Sequence, residues 1–246
     1  MATYFPTEDT YLNIARGLVK DTSAVHKFGA VPSMSINNSG TIWDINNTNY
    51  PWSSWDAGPL IIQVIPASSG DIEKSVVVEG LDENWNLISE TITTDSSITP
   101  VGNSVNQFRR VFRAYAAPNS IFLDDVDIQR AGTTVAYIPV SNAQTLMAVY
   151  TIPIGYTGYL TQGTASIQYG GDATISMMVR YGGELSFRIG HTGEVAGTGM
   201  PYHYNFTVPI RLPEKTDIDV RCRVRSNNAR VTAAFDLILI KTPIGS

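Results

Sequence analysis

The chain contains little cysteine, histidine or charge. Its 246 residues include 1 cysteine and 3 histidines, and Asp, Glu, Lys and Arg together make up 16%. A single cysteine excludes an internal disulfide, so packing or contacts between subunits must stabilise the fold. The histidines, His26, His191 and His203, have no zinc-like spacing to Cys222. We therefore expect no metal site and no cofactor.

Long apolar runs and an excess of positive charge are also missing. No apolar run approaches the roughly 18 residues of a transmembrane helix, and no signal-peptide pattern opens the chain. The net charge is −5, whereas a general nucleic-acid binder needs a basic surface. We expect a soluble protein that binds neither membranes nor nucleic acid. The sequence has no nucleophile elbow, P-loop or acid–base pair, so we predict that it is not an enzyme.

The clearest local pattern is a β-hairpin in residues 75–94. An apolar run is followed by a polar turn at residues 82–84 and by a second run in which apolar and polar residues alternate. Asp, Asn and Gly tolerate the left-handed backbone of a tight reversal. Ile88, Glu90 and Ile92 share one face of the second strand. The Glu90 carboxylate therefore lies among apolar neighbours unless that strand is near an edge.

Short runs rich in β-branched and aromatic residues, separated by Gly, Pro, Asn and Ser, fill the rest of the chain. The predicted strands before residue 132 are Leu60–Ile65, Glu73–Glu79, Asn86–Thr93, Val105–Tyr115 and Ile121–Gln129. Those after it are Thr133–Val140, Gln144–Ile152, Tyr159–Gln168, Ala173–Tyr181, Glu184–Ile189, Tyr202–Ile210, Thr216–Arg225 and Ala229–Lys241. The glycine-rich stretch 190–199 is interpreted as a long mobile loop. Strands of this length and spacing predict antiparallel sandwiches, and the number after residue 132 suits a jelly roll.

The predicted fold is all-β and begins with an arm. It comprises an N-terminal arm with a short helix over residues 1–40, a β-sandwich domain over residues 41–132, and a jelly-roll-like β-domain over residues 133–246. The boundary between the β-domains is placed near residues 131–142, where Gly and Pro interrupt the pattern.

The arm carries a small apolar stripe. Thr7 is a candidate N-cap for a helix over residues 7–20, in which Tyr11, Ile14 and Leu18 recur at helical spacing. This stripe is too small to form a core alone. Either the arm docks on another protein, with Tyr11, Ile14, Leu18 and Phe28 as contact residues, or it folds back across its own β-domain.

The strand predicted over Thr216–Arg225 alternates most cleanly. Ile218, Val220, Cys222 and Val224 point to one side, so Cys222 is expected to be buried and inert. The opposite face is charged and either meets solvent or contacts another subunit, where guanidinium groups would pair with carboxylates. The predicted subunit-interface residues are Asp217, Asp219, Arg221, Arg223 and Arg225.

Two further clusters have competing interpretations. Trp43, Trp52 and Trp55, with Tyr50, would pack in the core or stack on sugars, and packing is favoured. Asp124, Asp125 and Asp127 could supply oxygen ligands to calcium, but no loop glycine or distal glutamate accompanies them and a strand continues through Val126 and Ile128. We expect no calcium site there.

Three segments resemble one known family. Residues 75–94 follow the pattern V-x-V-x-G-L-D-x-N-[WY]-N-x-x-S-E-T, residues 15–32 carry A-R-G-L-V and V-H-K-F-G-A-V-P, and Thr41-Ile-Trp-Asp44 precedes Tyr50-Pro-Trp52. In these segments the chain resembles virion structural proteins of tailed bacteriophages, particularly marine and cyanobacterial ones. The resemblance covers most of residues 7–130 and, more loosely, Pro213–Arg221.

The resemblance implies a structural component of the virion, made in the host cytoplasm. The leading expectation is a capsid decoration or cement protein that binds other virion proteins through its N-terminal arm. Its implied state is a symmetric homo-oligomer, with a trimer expected. The alternative is a tail protein or a receptor-binding appendage used in host adhesion.

Overall fold

The structure is a computed structural model and describes residues 10–168, 171–197 and 200–242. Within these residues it is all-β, with one short α-helix and antiparallel sheets of four, five, four and three strands. The predicted all-β class with a short N-terminal helix is confirmed. In the described ranges no helix is long and apolar enough to cross a membrane.

The first element within the described residues is a helix that ends at Ala15, five residues before the predicted end. Helix α1 covers Thr10–Ala15, and strands β1 (Thr22–Met34) and β2 (Ser39–Thr41) follow. The first three residues of the predicted helix, 7–9, lie outside the described residues. A single 3-10 turn, Trp52–Trp55, precedes the next strands.

The middle of the chain forms two sheets. Its strands are β3 (Gln63–Pro66), β4 (Ser75–Asp82), β5 (Leu87–Thr93), β6 (Gly102–Asn103), β7 (Phe108–Ala116), β8 (Val126–Arg130) and β9 (Thr133–Ile138). They pair in the orders β6-β3-β8-β9 and β5-β4-β7. The predicted hairpin is confirmed as β4 and β5. Glu90 accepts hydrogen bonds from the backbone N–H groups of Val105 and Asn106, because β5 lies at the edge of its sheet.

The C-terminal half forms the other two sheets together with β1 and β2. Its strands are β10 (Val149–Thr151), β11 (Tyr156–Ile167), β12 (Asp172–Arg180), β13 (Arg188–Ala196), β14 (Tyr202–Leu212), β15 (Asp217–Val224) and β16 (Ala229–Lys241). The sheet orders are β1-β16-β11-β14 and β10-β15-β12-β13, with β2 also pairing β15.

Residues 22–41 do not form an arm. Strand β1 pairs with β16 from Thr22 opposite Ile240 to Met34 opposite Ala229, so this segment folds back across its own β-domain. Alternation is hard to see in the sequence because a lysine, Lys27, occupies an inward position. Gly29 is required there, since a Cβ would overlap the backbone of Ile42 and Ala148.

Two further expectations are corrected. Strand β9, counted with the second β-domain, pairs with β8 and belongs to the sheet of residues 63–138. The stretch 190–199, expected as a mobile loop, contributes to β13, which pairs with β12. Residues 198 and 199 lie outside the described residues. Every other predicted strand overlaps a strand of the structure.

One apolar cluster runs through the molecule and joins both pairs of sheets. In the C-terminal pair, Val231 and Phe235 of β16 and Val220 of β15 are buried between the sheets. In the middle pair, Val78 of β4 and Ile128 of β8 are buried in the same way. The sheets are therefore held by their inner faces, as alternation predicts.

Candidate functional site

The most strongly built polar cluster surrounds Asp217 at the start of β15. Asp217 is 2% exposed. Its Oδ1 accepts hydrogen bonds from Arg110 Nε at 2.8 Å and Thr151 Oγ1 at 2.6 Å. Its Oδ2 accepts from Arg110 Nη2 at 3.0 Å and Arg180 Nη2 at 2.7 Å. One carboxylate thus joins β7 of the middle sheets to β12 and β15 of the C-terminal sheets.

Asp219, two residues further along β15, is fully buried in a second polar cluster. Its carboxylate accepts hydrogen bonds from Thr41 Oγ1 at 2.8 Å, Trp52 Nε1 at 2.9 Å and Arg221 Nε at 2.7 Å. Burial raises the pKa of Asp219, and Arg221 opposes that rise. These bonds connect β2 and the 3-10 turn to β15.

The tryptophan cluster lies against these two carboxylates. Trp43, Trp52 and Trp55 are all buried, which confirms the packing interpretation. The guanidinium carbons of Arg110 and Arg180 lie 5.6 and 5.8 Å from the Trp52 ring centre. Cations above an indole face add electrostatic attraction to the packing. The cluster is one of several contacts between the two halves of the chain.

The predicted subunit interface is therefore wrong for Asp217 and Asp219. Both carboxylates are buried and pair with arginines of the same chain. Asp217 pairs with Arg110 and Arg180 from other strands, and Asp219 pairs with Arg221 from β15 itself. Arg221 is half-buried over the Phe187 ring, whereas Arg223 is exposed and Arg225 pairs with Glu194 at 2.5 Å. A subunit contact by Arg221, Arg223 and Arg225 stays a prediction.

The predicted contact residues of the arm differ in their exposure to solvent. Ile14 is buried, and it borders a groove on the outer face of β1 and β16 together with Val25 and Leu237. It is therefore a packing residue of its own domain. Tyr11, Leu18 and Phe28 are exposed, and their role as partner contacts stays a prediction.

The chain's one thiol and its acidic cluster are both placed by the structure. Cys222 is buried, as predicted, and burial raises the pKa of its thiol to about 12. Asp125 and Asp127 accept hydrogen bonds from their own neighbourhood, including Thr134 Oγ1 on Asp127 at 3.0 Å. Within the described ranges no group of three or more His, Cys, Asp or Glu side chains could hold a metal ion.

The C-terminal sheets end on one side in two edge strands, β13 and β14. His191 Nε2 and Tyr202 Oη are hydrogen-bonded at 2.9 Å between these strands. An apolar cavity of about 50 Å³ lies behind them, lined from both sheets by residues including Met177 and Phe235. Exposed apolar side chains cover the outside of this edge.

The outer face of β1, β16, β11 and β14 carries a polar row. Asp236 on β16 contacts His26 on β1 and Gln162 on β11, and Asn205 on β14 is in register with Gln162. The row lies in a groove of about 560 Å³ beside helix α1, which Phe206 also borders. Sequence reasoning missed this row because its members come from four separate strands.

Comparisons with known proteins give little. No protein-family model and no curated protein matches the chain. A solved structure described as "Structure of infectious bursal disease virus Gx strain" is similar at 8% identity and a TM-score of 0.22, covering 91% of this chain and 77% of that chain. A likeness at that TM-score carries no argument about fold or function.

Proposed function

We propose that the chain is a structural component of a tailed-phage virion, namely a capsid decoration or cement protein that forms symmetric oligomers, with a trimer expected. The resemblance of residues 75–94 to phage virion proteins supports this assignment.

The finer fold that we propose is a jelly roll interrupted by a sandwich. Of the eight strands β1, β2 and β11 to β16, the first pairs with the last and the second with the seventh. The third pairs with the sixth, and the fourth with the fifth. A long antiparallel ribbon rolled into two sheets has this pairing. The sandwich of β3 to β9 is inserted after β2.

The observation that carries the assembly proposal is the open edge at β13 and β14. Val208 and Ile189 on these strands are 80% and 62% exposed, and Leu185 and Met200 are exposed beside them. Unpaired strand edges with apolar side chains favour pairing with another chain. We therefore infer that the subunit contact lies at this edge, with Arg221, Arg223 and Arg225 as the alternative contact.

Sedimentation velocity tests the oligomer. Val208→Asp should convert the assembly to folded protomers, because it places a charge in an apolar contact. Arg223→Glu is the matched surface variant and should leave the assembly intact if β13 and β14 carry it. If Arg223→Glu dissociates the oligomer and Val208→Asp does not, the subunit contact lies on β15. Wild type that sediments as a protomer would refute the oligomer.

Quantitative staining of purified virions tests the location. A decoration protein should be present in a copy number comparable with that of the major shell protein. A few copies per particle would instead support the tail or receptor-binding appendage. Absence from purified particles would refute both.

The polar row on the outer face supports the appendage as the second candidate. Planar side chains such as Asp236, Gln162 and Asn205 beside Phe206 can bind sugar hydroxyls and stack on sugar rings. Binding of purified host surface polysaccharide, lost in Asn205→Ala, would favour host adhesion. No binding by wild type would leave the decoration role.

A further inference from the structure

A second groove lies beside β1, at the opposite end of its sheet from β14. It has a volume of about 450 Å³ and separates β1 from the hairpin of the inserted sandwich. Ala24, Val25 and His26 form one wall, and Leu87 and Ser89 of β5 form the other. A groove of this size is within the range of binding sites for small or extended ligands.

Lys27 lies at the floor of this groove. It is 7% exposed, and its Nζ donates a hydrogen bond to the backbone carbonyl of Phe112 while lying 5.6 Å from the Phe112 ring centre. An ammonium group has three donors, and the carbonyl of Phe112 accepts one of them. The remaining donors of a buried ammonium group are costly unless an acceptor reaches them.

The charged groups around Lys27 leave a net positive charge. Arg113 on β7 and Glu79 on β4 approach at 3.5 Å and offset each other. His26 beside Lys27 contacts Asp236 on the far face of its sheet. Tyr150 on β10 also faces the groove, and burial raises the pKa of its hydroxyl. Counted together with Arg113 and Glu79, the ammonium of Lys27 gives the groove one positive charge in excess.

Both walls of the groove are strand edges. Strand β1 is the terminal strand of its sheet and β5 is the terminal strand of another, and across the described residues neither pairs with a further strand. The backbone N–H of Ala30 in β1 donates to the carbonyl of Leu146, so the open part of this edge is at residues 24–27. Such edges accept an added strand through main-chain hydrogen bonds. An open strand edge favours an extended ligand, and one buried cation favours a ligand that carries a carboxylate.

We propose that this groove binds an extended acidic segment of a partner protein, which adds as a strand to the free edge of β1 and places a side-chain carboxylate on Lys27. The inference is independent of the virion assignment, because the groove is complete in one protomer. A nucleic-acid strand is disfavoured, since the chain has a net charge of −5 and the groove offers one unmatched cation.

Binding should be linked to proton uptake. Desolvation and the nearby Arg113 lower the pKa of Lys27 to about 7, against the opposing effect of Glu79. A bound carboxylate favours the ammonium form and reverses the shift. Affinity should therefore be constant below about pH 7 and should fall about tenfold per pH unit above it.

The probe is a fluorescein-labelled ten-residue peptide of alternating Val and Glu, whose carboxylates lie on one face when it is extended. Anisotropy should show saturable binding at pH 6.5 that weakens between pH 7 and 9. The Val–Gln peptide of the same length should bind at least about tenfold more weakly. Hydrogen exchange should slow at residues 24–27 when the Val–Glu peptide is bound.

Lys27→Met tests the cation itself. Methionine has a similar volume and removes a buried ionisable group, so the variant should fold and melt no lower than wild type. It should lose binding of the Val–Glu peptide and the pH dependence. Lys241→Met, at an exposed position outside the groove, is the matched control and should bind as wild type does.

Several results would overturn the proposal. They are no binding by wild type, equal binding of the Val–Gln peptide, unchanged binding by Lys27→Met, and affinity that does not change between pH 7 and 9. Displacement of the peptide by a ten-nucleotide oligo-dT would point to a nucleic-acid ligand instead.

Discussion

Asp217→Asn removes the one charge that two buried guanidinium groups share. The variant keeps the shape of the side chain. The side chains of Arg110 and Arg180 are each 6% exposed, so water cannot readily replace the lost carboxylate. An amide also turns one oxygen acceptor into an N–H donor, which would face a guanidinium donor. The variant therefore leaves uncompensated buried charge at the junction between the two halves of the chain.

The expected cost follows from the burial of the network. Removing one partner of a buried ion pair costs about 3–5 kcal/mol. Asp56 lies 3.3 Å from Arg180 and is half-exposed, so it can compensate one of the two cations. We therefore expect the free energy of unfolding to fall by about 3 kcal/mol, the lower end of that range. This corresponds to a fall in Tm of roughly 10 °C for a chain of this size.

Urea unfolding at pH 7, followed by tryptophan fluorescence, measures this loss. Asp219→Asn is the comparison, because its cation, Arg221, is partly exposed and can be solvated; its cost should be clearly smaller. Arg223→Ala, an exposed change, should stay within about 0.5 kcal/mol of wild type. A loss below about 1 kcal/mol for Asp217→Asn, or one no larger than for Asp219→Asn, would refute the charge argument.

The remaining predictions concern pH, reactivity and truncation. Burial raises the pKa of Asp44 from 3.8 to about 7 and lowers that of Lys27 from 10.5 to about 7. The folded state holds the extra proton of Asp44 between about pH 4 and 7, and the unfolded chain holds that of Lys27 between about pH 7 and 10. The free energy of unfolding should thus pass through a minimum near pH 7, and Lys27→Met should flatten the rise above it; a monotonic rise from pH 5 to 9 would contradict this. A thiol reagent should label Cys222 only as fast as the protein unfolds, and rapid labelling of the native protein would show that it is accessible. Deletion of residues 1–20 should leave a cooperative melt, whereas deletion of residues 1–35 should prevent folding because it uncovers the edge of β16; a stable product of the longer deletion would contradict the pairing of β1.

The sequence predicts strands well where one face is apolar and the turns contain Gly, Asn or Asp. The β4–β5 hairpin and the strand around Cys222 are examples, because period-two alternation reports directly on burial. It fails at Asp217 and Asp219, which occupy the polar positions of β15 and are nevertheless buried. The partners of Asp217 include Arg110 and Arg180, and those of Asp219 include Thr41 and Trp52. These partners are distant in the sequence, and alternation carries no information about a partner.

Strand β1 shows the other limit. Its inward positions hold Lys27 and Gly29 where an apolar residue would be expected. The lysine is accommodated because it reaches the carbonyl of Phe112 in another sheet, and the glycine because two backbone segments pass close to it. A charged residue inside an otherwise β-rich segment, as also at Arg110 in β7, is the signal that would have pointed to these sites.

The pairing of β1 with β16 sets an order of events during synthesis. Val31 and Val231 are partners about 200 residues apart, so at translation rates of 5–20 residues per second β1 waits roughly 10 to 40 s for its neighbour. The sheets of residues 63–138 are complete well before that. By then the nascent chain has all the strands of the two middle sheets, whereas its thirteen-residue first strand has no β16 to pair with until residues 229–241 are made. During this interval, protection of β1 from other nascent chains depends on a chaperone or on a low local concentration of copies.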